Sequence, residues 1–283
     1  MKPPSSALLL VDGRDPRARA ESLRIAKWLA QRSIEVTRVD LQRGRREVAR
    51  ADLAIVLGGD GTFLRAARAI GKADVPLVGV RLGTFGYLAE LEPGDWDDGL
   101  TRLIEGQGAL ENWLRLSVRV RSPKGRVREF APALNEVVVT AATVARLVEF
   151  TLRIDDEDVT RFRGDGMIIA TPVGSTAHSM AAGGPIIDRT DRCLLVTPVN
   201  SQSLTYRPLV LRSTRRIELL VHQARHGTAL TVDGQVTLPL EEGSVVEIAE
   251  SPLDLRAATV VTRTRFSTIR ERLKWGAPMV ERR

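Results

Sequence analysis

The chain has 283 residues, a formal net charge of +7 and an apolar fraction of 43%. That length allows one large domain or two of ordinary size, and no apolar run approaches the ~18 residues of a membrane span. A sequence pI near 10.2 raises the question of nucleic acid, but the basic residues are spread along the whole chain, only five of the 42 are lysine, and aromatics make up 4%, which argues against a basic stripe or a base-stacking platform.

Met1-Lys2-Pro3-Pro4 leads directly into a strand, Ala7 to Val11, without the apolar core of a signal peptide. Pro16 to Ser33 reads as a helix with Leu23, Ala26 and Leu29 on one face, and Ile34 to Val39 as a second strand. Ala51 to Leu57 (ADLAIVL) is a short β-branched apolar run, hence a buried strand. Phe63, Ala66, Ala67 and Ile70 then recur at helical spacing until Gly71. Val75 to Val80 and Pro93 to Gly106 continue as strand and helix. This alternation predicts a parallel sheet covered by helices, and the right-handed crossover rule puts the connections after its strands at the carboxyl edge, where such sheets bind ligands.

One of those connections is Gly58-Gly59-Asp60-Gly61-Thr62. Strand, glycine loop and helix in this order offer backbone N–H groups and a positive helix end to phosphate. The letters fit neither a Walker loop, since no Lys-Ser or Lys-Thr pair exists, nor a Gly-x-Gly-x-x-Gly fingerprint, which fails at Leu64. Asp60 is the odd member, because a carboxylate repels bare phosphate. It suits a metal ion or a hydroxyl that must lose its proton, and it equally suits a plain helix N-cap. Gly83-Thr84-Phe85-Gly86 is a second glycine turn at the same edge.

From about Leu114 the period changes to two. Leu116, Val118 and Val120 alternate with polar residues, and Asn135 to Thr140, Val148 to Ile154, Met167 to Ala170, Leu194 to Val199, Ile217 to Val221, Ala229 to Val232 and Val245 to Ile248 read as strands of a β-rich second domain. Phe266 to Trp275 returns to helical spacing. Cys193 is the only cysteine, so an internal disulfide is impossible and a reducing cytoplasm is the expected setting. His222 and His226, the only His-x3-His pair, fall in a polar hinge and lack the further ligands a structural zinc site needs.

Three polar clusters interrupt the β domain. Asn135-Glu136 could hold the paired hydroxyls of a ribose, or could be a solvated strand entrance. Arg163-Gly164-Asp165-Gly166 sets another carboxylate between glycines. Thr171-Pro172-Val173-Gly174-Ser175-Thr176-Ala177-His178-Ser179, with Gly183-Gly184-Pro185, holds more hydroxyls and glycines than a turn requires.

With these motifs in this order, followed by Arg207-Pro208-Leu209-Val210 and Asp233-Gly234-Gln235, the chain resembles the NAD kinase family across nearly its whole length. The resemblance implies an α/β N-terminal domain with a parallel sheet (1–110, with 264–283 packing back) and a β-rich, sandwich-like C-terminal domain (111–263), the active site in the cleft between them. It also implies transfer of the terminal phosphoryl of ATP, or of another donor, to the adenosine 2′-hydroxyl of NAD. Phosphoryl transfer of this kind calls for a divalent cation, Mg2+ by preference. On the matching positions Asp60 is the expected proton acceptor. Gly58, Gly59, Gly61, Thr62, Asn135, Glu136, Arg146, Arg163, Asp165, Thr176, Ala177, His178, Ser179, Met180, Ala181 and Gln235 are the expected binding residues, some supplied by a neighbouring subunit of a homo-oligomer, dimer or tetramer. His178 stands where the family usually has tyrosine. A lipid or sugar kinase with the same glycine loop, and a non-catalytic dinucleotide-binding regulator, are the other readings of the loop.

Overall fold

The computed structural model describes residues 2–42, 50–71, 73–83, 86–141, 147–223, 227–260, 269, 270, 273 and 275. The chain forms two compact units, Met1–Asn112 with Arg256–Arg283, and Trp113–Leu255. The expected closing helix, Phe266 to Trp275, lies for the most part outside the described residues.

The first unit is built on a six-stranded sheet in the order Glu35–Asp40, Ser6–Val11, Leu53–Gly58, Leu77–Arg81, Leu255–Thr259, Ala109–Trp113. The first five strands run parallel. Parallel sheets bury both faces, so their central strands read as unbroken apolar runs; every residue of Leu53–Gly58 is buried. Leu9, Val11, Ile55, Leu57, Val78 and Val80 pack with Ile25 and Leu29 of the Pro16–Ala30 helix and with Leu100 and Leu103 of the Trp96–Ile104 helix. On the opposite face Gly79 lies against Ala89 and the Asp60–Ile70 helix: a Cβ there would stand 2.8 Å from the Ala89 Cα and 3.1 Å from the Phe63 ring. The Pro16–Ala30 helix begins where Asp15 accepts the N–H of Arg17 at 2.9 Å and Pro16 takes the first turn. It stops three residues short of the expected Ser33, which takes a left-handed φ of 60°.

The second unit is a sandwich of two antiparallel six-stranded sheets. One has the order Glu157–Gly164, Val148–Ile154, Ile217–Gln223, Val245–Glu250, Leu116–Arg121, Val127–Glu129; the other has Leu209–Arg212, Cys193–Val199, Gly166–Ala170, Glu136–Ala141, Thr228–Val232, Val236–Leu240. Alternate residues of both sheets, among them Val118, Val137, Val139, Phe150, Phe162, Ile169, Leu219, Leu230 and Val246, fill one core. Val138, Ile168, Ala170 and Leu195 face the other way and are covered by Ala182 and Ile187. Strands Glu136–Ala141 and Gly166–Ala170 are thus apolar on both faces. The α/β first domain with its parallel sheet and the β-rich second domain are both as the sequence led us to expect.

Candidate active site

In the first unit, neighbouring strands Ser6–Val11 and Leu53–Gly58 feed helices on opposite faces of the sheet. Their shared carboxyl end is therefore a topological switch point, where open α/β sheets leave a crevice for ligands. Gly58 leaves the strand at φ +153°, and a Cβ there would lie 2.7 Å from Thr62 Oγ1, so the tight turn requires glycine. Gly59 is the N-cap and its carbonyl takes the N–H groups of Thr62 and Phe63. Gly59 and Gly61 meet a different condition: a Cβ on either would touch nothing within 4 Å. The protein's own packing therefore does not demand glycine at these two positions, and the backbone at the helix start is left open.

Asp60 is the first residue of the helix rather than its cap. Its carboxylate accepts the backbone N–H of Tyr87 at 2.7 Å on Oδ2 and that of Leu88 at 3.0 Å on Oδ1. The N-cap reading of Asp60 fails for that reason. The amides come from the chain just past the second glycine turn, and Gly86 stands where a Cβ would be 3.1 Å from Asp60 Oδ1. Asp60 is thus a fixed carboxylate at the switch point. Thr84 and Phe85 of that turn lie outside the described residues.

The second unit carries the other cluster, at the end of its sheet where Glu136 pairs with Ala170 and Val137 with Val232. Asp233 and Gly234 occupy the two central positions of a turn at φ 49° and 63°, closed by the Gln235 N–H on the Val232 carbonyl at 3.0 Å. Asp-Gly is the preferred pair for a hairpin turn with two positive φ values. The turn lays the buried Asp233 carboxylate against the chain entering Glu136–Ala141. It accepts three successive amides: Leu134 at 2.9 Å, Asn135 at 2.7 Å and Glu136 at 3.1 Å. From the other side, Thr171 donates its N–H to the Asn135 carbonyl at 2.9 Å and its hydroxyl to that of Leu134 at 2.6 Å. Gly174 packs so closely that a Cβ would lie 2.1 Å from the Asn135 carbonyl oxygen.

With their backbone clamped on both sides, Asn135 and Glu136 are both buried, and Asn135 Oδ1 and Glu136 Oε2 are buried acceptors without a hydrogen-bond partner among the described residues. Buried polar atoms are normally satisfied, so two adjacent exceptions signal missing donors. Burial, aided by the Asp233 charge and opposed by the His178 backbone N–H, pushes the Glu136 carboxyl up to about 7.

Other expected residues divide by position. The run Thr176, Ala177, His178, Ser179, Met180, Ala181 spans the join between a one-turn 3-10 helix, Val173–Thr176, and the short helix His178–Ala181, and its His178 amide reaches Glu136. Its hydroxyls serve the fold: Thr176 donates to the Val173 carbonyl at 3.2 Å, and the buried Ser179 shares a 2.9 Å bond with Thr197. The His178 side chain is exposed. Gln235 follows Asp233 in the turn. Arg163 belongs to the strand Glu157–Gly164 of the other sheet, and Asp165 precedes Gly166, which pairs with Thr140; four residues of strand put Gly166 about 13 Å from the end where Ala170 meets Glu136. Asp165 accepts the Asn200 side-chain amide at 2.8 Å, and Arg163 is exposed. Arg146 and His226 lie outside the described residues, while His222 belongs to the strand Ile217–Gln223 rather than a hinge, with Nε2 2.7 Å from Thr151 Oγ1. Sequence reasoning missed the clamp by Asp233, whose signal was the Asp-Gly turn pair, and the amides of Tyr87 and Leu88, which the second glycine turn foreshadowed.

Residues 12–108 match the family model described as the ATP-NAD kinase N-terminal domain, and residues 134–260 match the ATP-NAD kinase C-terminal domain. The chain is 36% identical over 275 residues to an NAD kinase of Desulfatibacillum aliphaticivorans, covering 94% of this chain and 96% of that one. It is 38% identical over 225 residues to an NAD kinase of Syntrophotalea carbinolica, covering 80% and 79%. Among solved structures, an NAD kinase from Archaeoglobus fulgidus in complex with ATP is similar with a TM-score of 0.79 at 26% identity, covering 94% of this chain and 98% of that one. Yeast NADH kinase complexed with NADH shares the fold with a TM-score of 0.84 at 21% identity, covering 99% and 91%.

Proposed function

The chain belongs to the ATP-NAD kinase family, and from that premise we propose which residues carry each part of the reaction. The activity is that of an NAD kinase, a phosphotransferase that moves the terminal phosphoryl of ATP to the adenosine 2′-hydroxyl of NAD. Asn135 and Glu136 hold the acceptor ribose. The observation that carries this is the pair of buried, partnerless oxygens, Asn135 Oδ1 and Glu136 Oε2. Both are acceptors, so the group they await presents two neighbouring donors, as the vicinal hydroxyls of a ribose do. Two such orphans would each cost about 1–3 kcal/mol in the empty protein, which ligand binding recovers.

Asp60 takes the role of orienting the attacked hydroxyl and accepting its proton late in the transfer, when that proton has become acidic. The two amides on its carboxylate keep it from turning away. Gly59 and Gly61 leave the helix start open to the donor's phosphates. Among the described residues no three His, Cys, Asp or Glu side chains converge as a metal site. A divalent cation, Mg2+ in our reading, would enter with the donor's phosphates and would neutralise charge on the transferred group.

Arg163 and Asp165, close in the chain to Gly166 rather than to the Ala170 end that meets Glu136, are assigned to the dinucleotide of a second copy, which makes the working form a homo-oligomer. A cytoplasmic setting fits the single Cys193, and among the described residues no helix is long and apolar enough to cross a membrane.

The test is NADP formation from NAD, ATP and magnesium, read with an NADP-specific dehydrogenase. Glu136→Ala raises the KM for NAD about five- to 150-fold and the KM for ATP much less. Equal rises in both would remove the ribose assignment. Tight NAD binding without NADP formation would make the protein a dinucleotide sensor.

A further inference from the structure

Resting on the NAD kinase reading, we propose that Arg65 is a direct ligand of the donor's phosphates, stored against Asp12 at the sheet's switch point when no donor is bound. Asp12 follows the strand Ser6–Val11 and supplies one lip of the crevice; Thr62 and Arg65, on the Asp60–Ile70 helix, supply the other. Arg65 points back along its helix toward the glycine loop, as long helical side chains do. Its Nη2 donates to Asp12 Oδ2 at 3.0 Å and to Thr62 Oγ1 at 3.3 Å.

Several features distinguish this contact from a structural ion pair. Both bonds leave from one nitrogen of a guanidinium that has five N–H donors, and the Nε is buried with no acceptor among the described residues. Arg81, unlike Arg65, is bonded to Glu92 through both Nε and Nη2. Asp12, by contrast, does not depend on Arg65. It also accepts the backbone N–H of Arg14 at 3.1 Å, its Nε at 3.2 Å and its Nη2 at 3.1 Å, and Gln42 Nε2 at 2.9 Å. The Arg14 bond, first among these, holds the Asp12 carboxyl down at about 2, so the storage site stays charged throughout the physiological range.

The glycine loop also lacks something that Arg65 supplies. Asp60 sets a negative charge beside the open helix start, where a polyanionic donor must come. A cation on the same helix, with unused donors in a planar fork, offsets that repulsion and matches phosphate oxygens in pairs. Turning the guanidinium from Asp12 to a phosphate moves the Nη2 donor off a shared carboxylate, gives the buried Nε–H the acceptor it lacks and leaves Asp12 with its other donors.

The experiment measures KM for ATP and for NAD, and calorimetric binding of ATP and of inorganic tripolyphosphate, in the parent, Arg65→Met, Arg65→Lys and Asp12→Asn. We expect Arg65→Met to raise the ATP KM about ten- to a hundred-fold, to abolish tripolyphosphate binding and to leave the NAD KM within about three-fold, with Arg65→Lys in between. Asp12→Asn, which removes the charge that holds the guanidinium, binds tripolyphosphate as tightly as the parent or more tightly. An unchanged ATP KM in a folded Arg65→Met overturns the proposal. So does equal loss of tripolyphosphate binding in Asp12→Asn and Arg65→Met, since that is the behaviour of a structural brace. Absence of NADP formation in the parent would count against the kinase reading alone, because the tripolyphosphate measurement still reads Arg65.

Discussion

Replacing Asp233 by asparagine tests how the second unit holds its buried pair. Oδ1 serves the amides of Asn135 and Glu136 and Oδ2 that of Leu134. Asparagine tolerates the left-handed φ of 49° at this position, so the backbone is unaffected and the change is confined to the carboxylate. The amide oxygen can keep two partners, but the NH2 group then meets the Leu134 N–H, donor against donor. One buried N–H left unsatisfied costs about 1–3 kcal/mol, and two charge-assisted bonds made neutral cost about 1 kcal/mol each. The sum, about 3–5 kcal/mol, corresponds to a fall of about 10 °C in the melting transition of the second unit. A second effect runs the other way: removing the Asp233 charge, one of the causes that raise Glu136, lets that carboxyl ionise more readily. Scanning calorimetry reads the first effect, and the pH midpoint of NAD affinity, displaced below about 7, reads the second. A transition within about 2 °C of the parent together with an unmoved midpoint would refute the clamp.

The two kinds of glycine in the loop separate in the same way: Gly58→Ala collides with Thr62 and loses about 2–4 kcal/mol in thermal unfolding, whereas Gly59→Ala melts as the parent does and raises the ATP KM at least several-fold. Glu136, held at about 7 rather than near 4.5, ties NAD binding to pH. Ribose hydroxyls donate best to the ionised carboxylate, so the KM for NAD falls from pH 6 to pH 8, and Glu136→Gln flattens that profile. The same shift makes the folded protein bind more protons than the unfolded chain between pH 4.5 and 7, so Glu136 lowers stability progressively as pH rises through that window. Glu136→Gln removes that slope in a series of melting curves.

The strands that could be read from the sequence were mostly those buried by their neighbours. Leu53–Gly58 and Gly166–Ala170 announce themselves as apolar runs because both faces are covered. Five of the strands that escaped reading, Ala109–Trp113, Val127–Glu129, Glu157–Gly164, Leu209–Arg212 and Val236–Leu240, stand at sheet edges. An edge strand has one neighbour and much solvent, so its composition carries little β signal; six of the eight residues of EDVTRFRG are not buried. Leu255–Thr259 (LRAAT) stands inside a sheet yet is alanine-rich, and its pairing of Ala257 with Leu77 is too distant in sequence for any local pattern.

The candidate residues divide in the same way. Asp60 and Asn135-Glu136 were visible as polar residues set against glycine and valine runs, and their identities suggested their chemistry. Their supports were not visible, since Tyr87 and Leu88 act through backbone amides, which leave no mark on residue type. Asp233 acts across 97 positions on Glu136. Arg65 looked like any solvent-facing arginine of an amphipathic helix until the fold brought Asp12 to it.

The most direct test of the account is the steady-state rate of NADP formation by Asp60→Asn. Asparagine keeps an oxygen for one of the amides of Tyr87 and Leu88 and removes the charge and the basicity. If Asp60 takes the hydroxyl's proton, kcat falls by about 10²–10⁴, while the KM for NAD stays within a few-fold of the parent and circular dichroism shows an intact fold. A kcat within a few-fold of the parent would contradict that role.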